Sequence, residues 1–344
     1  MRNRLLASAL AAGLLFSVAA CSSGDALESE SSASASSSAS SIPAPDVKFT
    51  SDGMPTLASD SDGNPSLEFP DSDAPADLTV DILEEGDGDE VSSSDFVVVD
   101  YAGFVWGGTE AFDSSFANGS AAAFYLSNLV TGWQYGLDGT HVGDKLIISI
   151  PADYGYGPSG GNESAGISET DTIAFYIEIH DRMDATSAGQ ADASVEVTSD
   201  DLPLSYVGDL GAPITEVTIN DGEAEPTEVS STIIAKGSGD EVGSDGTMVI
   251  AYAASTWDGS TVENTWTGEP SDSILGPQAV TVGYGTIFDA LIGTPVGSRV
   301  LILMPATDGD DSTSATAAYG IVADVLEYLP ASSTSDGATD DSTE

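Results

Sequence analysis

The sequence predicts an α+β protein made of two tandem copies of one domain, each an antiparallel β-sheet curled around a short α-helix. Strand-like runs of period two dominate both halves, while a single short stretch of the first half has helical character. The landmarks also repeat. Gly63-Asn64-Pro65 followed by Gly86-Asp87-Gly88-Asp89-Glu90-Val91 returns as Gly211-Ala212-Pro213 followed by Gly237-Ser238-Gly239-Asp240-Glu241-Val242, and each leads to a strand carrying a tyrosine, Tyr101 or Tyr252. Further on, the run Gly136 to Gly143 is echoed by Ala290 to Gly297, and Pro151 by Pro305.

In chain order, residues 1–20 read as a targeting segment, with Arg2 and Arg4 ahead of the apolar run Leu5 to Phe16, which is too short to span a bilayer, and a small-residue stretch ending at Ala20. Cys21 follows directly. It is the only cysteine in the chain, and its position resembles that of the lipidated cysteine of bacterial lipoproteins; the plain alternative is a secretory signal with an incidental cysteine. Multiple acyl chains on Cys21 would anchor the protein stably, leaving no thiol for a disulfide or a zinc site. Residues 21–60, Ser/Ala-rich and acidic, read as a disordered tether reaching about 35 Å. Residues 61–185 form the first expected domain, 186–209 a linker, 210–330 the second domain and 331–344 a disordered acidic tail.

Within the first domain, Phe96 to Val105 sets Val97, Val99, Tyr101 and Gly103 on one face. Lys145 to Ile150 is a second strand. A third, Thr172 to Ile179, alternates Ile173, Phe175, Ile177 and Ile179 with Ala174, Tyr176 and Glu178, as a half-buried strand does. The helical stretch is Ser127 to Leu137, containing Trp133.

Between Tyr101 and Phe175 the chain carries, in order, Tyr101-Ala102-Gly103, Phe112-Asp113-Ser114-Ser115, Gly132-Trp133, Gly136-Leu137-Asp138-Gly139, Val142-Gly143, Ile150-Pro151 and Tyr154-Gly155-Tyr156-Gly157. This series resembles the FKBP-type peptidyl-prolyl cis-trans isomerases, the macrolide-binding immunophilins. The resemblance implies that Trp133 floors a prolyl pocket walled by Tyr101, Phe112 and Phe175, with Phe124, Leu129, Val130 and Ile167 as further substrate contacts. It implies that Tyr156 donates its hydroxyl to a substrate carbonyl and that Asp113 stands at the rim. Taken singly, Trp133 and the neighbouring rings would be ordinary core, and Asp113 a turn or helix cap. Three departures from the family bear on catalytic efficiency and macrolide affinity: Ala122 replaces an aromatic, Ser168-Glu169 replace prolines, and no histidine lies between Gly157 and Gly166.

The chemistry expected of such a pocket needs no nucleophile and no cofactor. Rotation about the amide crosses about 18–20 kcal/mol because resonance is lost at the twisted midpoint. The twisted amide has the smaller dipole, so a water-poor, ring-lined hollow favours it over the planar forms, and each tenfold in rate requires about 1.4 kcal/mol of that preference. The expected partners are proline-containing exported client proteins, with macrolides as ligands by resemblance and the membrane reached through the lipid anchor alone. A non-catalytic binding module or chaperone is the alternative.

In the second copy, alignment on Gly293 and Val296 puts Ile287 at the Trp133 position and Asp310 at that of Tyr156, while Glu263-Asn264 stand for Phe112-Asp113. A degenerate, inactive copy is expected. The charge balance, 57 acidic against 7 basic residues and a net −50, excludes nucleic acid as a partner. Asp60-Ser61-Asp62-Gly63-Asn64 resembles the start of a calcium loop, but Pro65 occupies the glycine position and Asp71 the bidentate position, so no metal site is expected. The two histidines, His141 and His180, lie apart in sequence and read as surface residues.

Overall fold

Among the described residues, two seven-stranded β-sheets with matching strand orders are accompanied by two separate two-stranded sheets. The computed structural model describes residues 44–270, 275–308 and 315–331. The targeting segment, Cys21, Asp310 and the tail from residue 332 lie outside the described residues.

The first sheet and its hairpin are built from β1 (Lys48–Phe49), β2 (Thr56–Ser59), β3 (Pro65–Glu68), β4 (Thr79–Glu84), β5 (Phe96–Val105), β6 (Asp113–Ser114), β7 (Ala122–Tyr125), β8 (Lys145–Ile150) and β9 (Ile173–Met183). The second half follows with β10 (Ser194–Val195), β11 (Leu204–Val207), β12 (Glu216–Ile219), β13 (Ser230–Lys236), β14 (Gly246–Thr256), β15 (Thr261–Asn264), β16 (Gln278–Val282), β17 (Arg299–Met304) and β18 (Tyr319–Pro330). The sheets run β1-β4-β8-β9-β5-β6 and β10-β13-β17-β18-β14-β15, with β7 added to β5 and β16 to β14. Bulges fall at corresponding places: His180 of β9 is the extra residue opposite Val98 and Val99 of β5, and Leu326 of β18 is the extra residue opposite Val249 and Ile250 of β14. The edges differ, since β1 joins β4 in parallel and β10 joins β13 antiparallel.

Two boundaries move. The tether expected over 21–60 ends earlier, because β1 pairs with β4 and β2 forms a hairpin with β3. The linker expected over 186–209 contains β10 and β11, with Leu202 and Leu204 buried. Both segments are rich in Ser, Asp and Gly, so a few large apolar residues in them decide the packing.

Those segments also change the character of the long strands. Val97, Val99 and Tyr101 face the inner core as expected. The opposite face is buried too: Ala102, Phe104, Ala174 and Tyr176 pack under Met54 and Leu67 of the hairpin region. Phe96 and Val98 instead meet Val249 and Leu329 of the second half. Strands read as half-buried are therefore covered on both sides.

The helix expected over Ser127 to Leu137 is shorter. A 3₁₀ turn, Leu126–Asn128, is followed by an extended step at Leu129 (φ −93°, ψ 174°) and then by a six-residue helix, Thr131–Gly136. Two glycines bring that helix onto the sheet. A Cβ at Gly132 would lie 2.3 Å from Ile150, and one at Gly136 would lie 1.9 Å from Ile148. A one-turn helix unseen in the sequence, Ser115–Asn118, is capped by the Ser114 hydroxyl accepting from the Ala117 amide and closed by Gly119 at φ 71°. The calcium-like run is the β2–β3 turn, in which the Asp60 carboxylate accepts from the Asp62 and Asn64 amides.

Candidate functional site

The site is assembled on the inner face of the first sheet. Register sets Gly103 opposite both Asp113 and Phe175, so residues distant in sequence meet at one point of β5. A Cβ at Gly103 would come within 2.5 Å of the Phe175 ring and 2.7 Å of the Phe112 ring. The missing side chain is what allows those rings to meet edge to face, centroids 5.5 Å apart. Replacing Gly103 by alanine is expected to destabilise the protein by about 1–3 kcal/mol, because two rings held in a packed cluster cannot step aside. A urea midpoint unchanged in that variant would contradict this account of the glycine.

From Phe175 the ring set continues to Trp133 at 5.1 Å, and Trp133 in turn meets Tyr101 at 5.7 Å and Phe124 at 6.4 Å. Tyr101 and Phe124 close the circuit at 5.9 Å. Trp133 is 4% exposed and lies at the bottom. Phe112, Phe124, Leu129, Val130 and Tyr156 are half-buried above it, and Asp113 is exposed, so the cluster grades from a dry floor to an open rim. Ile167 is fully packed in the same core.

The polar groups gather at the rim. Tyr101 donates its hydroxyl to Asp113 Oδ2 at 2.6 Å. Burial first, and then this hydrogen bond, push the Tyr101 hydroxyl well above its ordinary pKa and keep it protonated. Tyr156 is also raised, by burial above all; a hydrogen bond with Asn162 opposes this and the charge of Asp113 adds to it. The flap beyond Tyr156 is held by its own backbone. The Tyr156 carbonyl accepts from the Gly161 amide at 2.9 Å, while Asn162 and Ile167 exchange bonds of 2.8 and 2.9 Å.

All ten residues picked out for the pocket thus lie in or on this cluster. The sequence reading missed Ser115, Asn162 and the pair Asp100–His180. Ser115 is buried; its Oγ accepts from the Tyr101 amide at 2.8 Å and donates to Asp100 at 2.6 Å, fixing the strand beneath the ring set. The helix cap is Ser114 rather than Asp113, which leaves the carboxylate free for Tyr101. Cap preference could not decide between them, since aspartate and serine are equally favoured at that position, and the Asn162 contact depends on the path of the flap and left no local trace.

The profile of the FKBP-type peptidyl-prolyl cis-trans isomerases matches residues 88–180. A "Probable FK506-binding protein" of Corynebacterium glutamicum is 35% identical over 116 residues, spanning 33% of this chain and 95% of that relative. The chain belongs to the FKBP-type peptidyl-prolyl cis-trans isomerase family. The FKBP-type isomerase FkpA of Escherichia coli is 34% identical over 119 residues, covering 35% of this chain and 42% of its own length. The crystal structure of FkpA from Escherichia coli aligns at 28% identity with a TM-score of 0.28, covering 37% of this chain and 51% of that one.

Beside the ring cluster, His180 Nε2 lies 2.8 Å from Asp100 Oδ2, joining the interior strands β9 and β5 through two partly exposed side chains. The hydrogen bond to Asp100 raises the His180 pKa, against a lowering by burial, and that same bond holds Asp100 below the ordinary carboxylate range. The charged pair stabilises the fold fully only between the unfolded values, above about 3.9 for Asp100 and below about 6.5 for His180. As pH rises through the raised His180 value the contribution is lost. Denaturant titrations across that range should show a shallower decline for His180→Gln than for the parent, and identical slopes would contradict the assignment.

The second sheet does not repeat this ring set. Register places Ile321 where Phe175 stands and Val280 where Phe124 stands. Ile287, at the Trp133 position, is half-buried, and the buried ring comes from its neighbour Phe288, 5.6 Å from Tyr252. The acid is kept, contrary to the alignment by sequence. Ala254 faces Glu263 as Gly103 faces Asp113, and Tyr252 donates its hydroxyl to Glu263 at 2.5 Å. The chain from Ala254 to its partner Glu263 is one residue shorter than that from Gly103 to Asp113, so a gapless comparison matches Asn264 to Asp113.

Proposed function

We propose that the first half is a working peptidyl-prolyl cis-trans isomerase for exported or surface proteins and that the second half is a degenerate copy of the same FKBP-like domain without isomerase activity. The observation that carries the reading is the convergence of Tyr101, Phe112, Phe124, Trp133 and Phe175 beneath the bond between Tyr101 and Asp113. A prolyl ring entering from the rim would rest on Trp133 between the edges of Phe112 and Phe175. Burial of that ring is worth roughly 1.5–3 kcal/mol. The amide beside it would leave water for an apolar wall, where the less polar twisted form is favoured, and the Tyr156 hydroxyl would hold a substrate carbonyl. Asp113, already accepting from Tyr101, would contribute a negative field at the rim; no proton moves.

The targeting segment and Cys21 support an extracytoplasmic, lipid-anchored location, and the acidic surface would keep such a protein soluble and draw basic stretches of clients toward it. A second reading, a module that holds unfolded clients without catalysis, is favoured by the aliphatic replacements in the second sheet. The two separate in one experiment. Refolding of a protein limited by X-Pro isomerisation should accelerate with substoichiometric amounts of this chain. Suppression of aggregate light scattering with no gain in refolding rate would instead establish the holding function and overturn catalysis.

A further inference from the structure

A cavity of about 230 Å³ lies beside the ring cluster, at the junction of the two halves. From the first half it is lined by Phe96, Ala123, Phe124, Tyr125, Asn128 and Leu129, and from the second by Pro277, Gln278 and Ala279. Two of these residues are shared with the prolyl site: Phe124 carries ring contacts to Tyr101 and Trp133, and Leu129 packs on the inner core. The cavity therefore abuts the wall of the proposed prolyl pocket. None of its lining residues is charged, in a chain with 57 acidic groups. It falls below the size of a small-molecule site, about 300–1,000 Å³, and suits one or two side chains.

The junction is built to hold its shape. Tyr125 reaches across from β7, its hydroxyl within 2.9 Å of the Leu275 carbonyl and 2.8 Å of the Pro277 carbonyl. Its ring is fixed edge to face on Phe96 at 5.0 Å. Gly276 makes the approach possible: its φ is +94°, and a Cβ there would lie 2.3 Å from the Tyr125 hydroxyl. Gln278 closes the turn by donating to the Gly276 and Pro277 carbonyls at 3.0 Å each. The strands flanking the cavity, β7 and β16, are each paired on one side only among the described residues.

We propose that this cavity receives uncharged, apolar residues of the substrate polypeptide flanking the proline, so that the second half, lacking a ring pocket of its own, extends the substrate-binding surface of the first. The inference rests on the isomerase reading for its occupant, and it predicts selectivity: a longer peptide gains contacts that a tetrapeptide does not reach. Ala279, exposed on the second-half wall, offers a way to fill the cavity, and Tyr125 is a positioning residue for that wall.

The test uses the full chain, a tetrapeptide with one X-Pro bond, and a longer peptide with apolar residues on both sides of the same bond and a photo-crosslinking side chain several residues from the proline. Crosslinks to residues 277–279 are expected. Ala279→Trp should lower the ratio of kcat/KM on the longer peptide to that on the tetrapeptide by about fivefold or more, mainly through KM. Tyr125→Phe, which keeps the ring and removes the hydroxyl, should shift the ratio the same way and carries the test if the tryptophan is not accommodated. Crosslinks confined to the first half, or a ratio unmoved in both variants, would overturn the proposal. Crosslinks to 277–279 without turnover of either peptide would support the cavity as a peptide site while overturning the isomerase reading.

Discussion

Arg299→Ala is expected to destabilise the second half of the protein by about 3–5 kcal/mol, the range for breaking a buried ion pair from one side. Arg299 and Asp324 face each other across β17 and β18, with 1% and 0% side-chain exposure. The guanidinium donates to both carboxylate oxygens, at 2.7 and 2.8 Å. It also donates to the carbonyls of Gly208, Asp209 and Ala212, which fastens the segment before β12 to the sheet. Alanine would leave Asp324 buried with one remaining donor, the Gly189 amide, and would take a donor from three carbonyls, of which that of Asp209 keeps the Ala212 amide. Removing both charges, as Arg299→Met with Asp324→Leu, should recover much of the loss, since the desolvation cost disappears with the pair. Guanidinium denaturation of the single and double variants checks this; a single variant within about 1 kcal/mol of the parent would contradict it. The corresponding pair of the first half, Lys145 opposite Glu178, stays near the surface, and Lys145 bonds Glu84 at 3.3 Å instead.

Trp133→Ala should cost the first half a comparable amount, about 3–5 kcal/mol, as large-to-small changes of buried aromatics do. Three edge-to-face contacts are lost at once, to Tyr101, Phe124 and Phe175. The helix carrying the indole is held flat on Ile148 and Ile150 by its two glycines, so it cannot sink to fill the space. Trp133→Phe should retain most of the stability. Equal denaturation midpoints for the alanine variant and the parent would mean that the indole is not packed as described.

The contrast between these residues shows what the sequence could reveal. Trp133 and its partners were readable because several short motifs recur in one order, and because Gly103, Gly132 and Gly136 leave space that only a fixed packing requires. Arg299 gave no such sign. Its partner lies on another strand, and its remaining bonds go to carbonyls of a segment read as linker. The hairpin at 56–68 and strand β11 were hidden for a related reason: polar composition predicts exposure on average, while Met54, Leu67, Leu202 and Leu204 each supply enough apolar surface to fasten a segment. Glu263 was misplaced because a spacing shorter by one residue between the paired positions shifts register in a way that gapless comparison cannot detect, whereas the ladder between β14 and β15 fixes it directly.

The central claim is that a ring-lined hollow in the first half does the chemistry. Its most direct test is the rate of X-Pro isomerisation of a tetrapeptide by the full chain, set against that of the Phe112→Ala, Trp133→Ala double variant, with circular dichroism confirming that the variant retains its sheets. The account predicts acceleration proportional to the concentration of the parent and a return to the uncatalysed rate in the variant. Equal rates for the two proteins would contradict it.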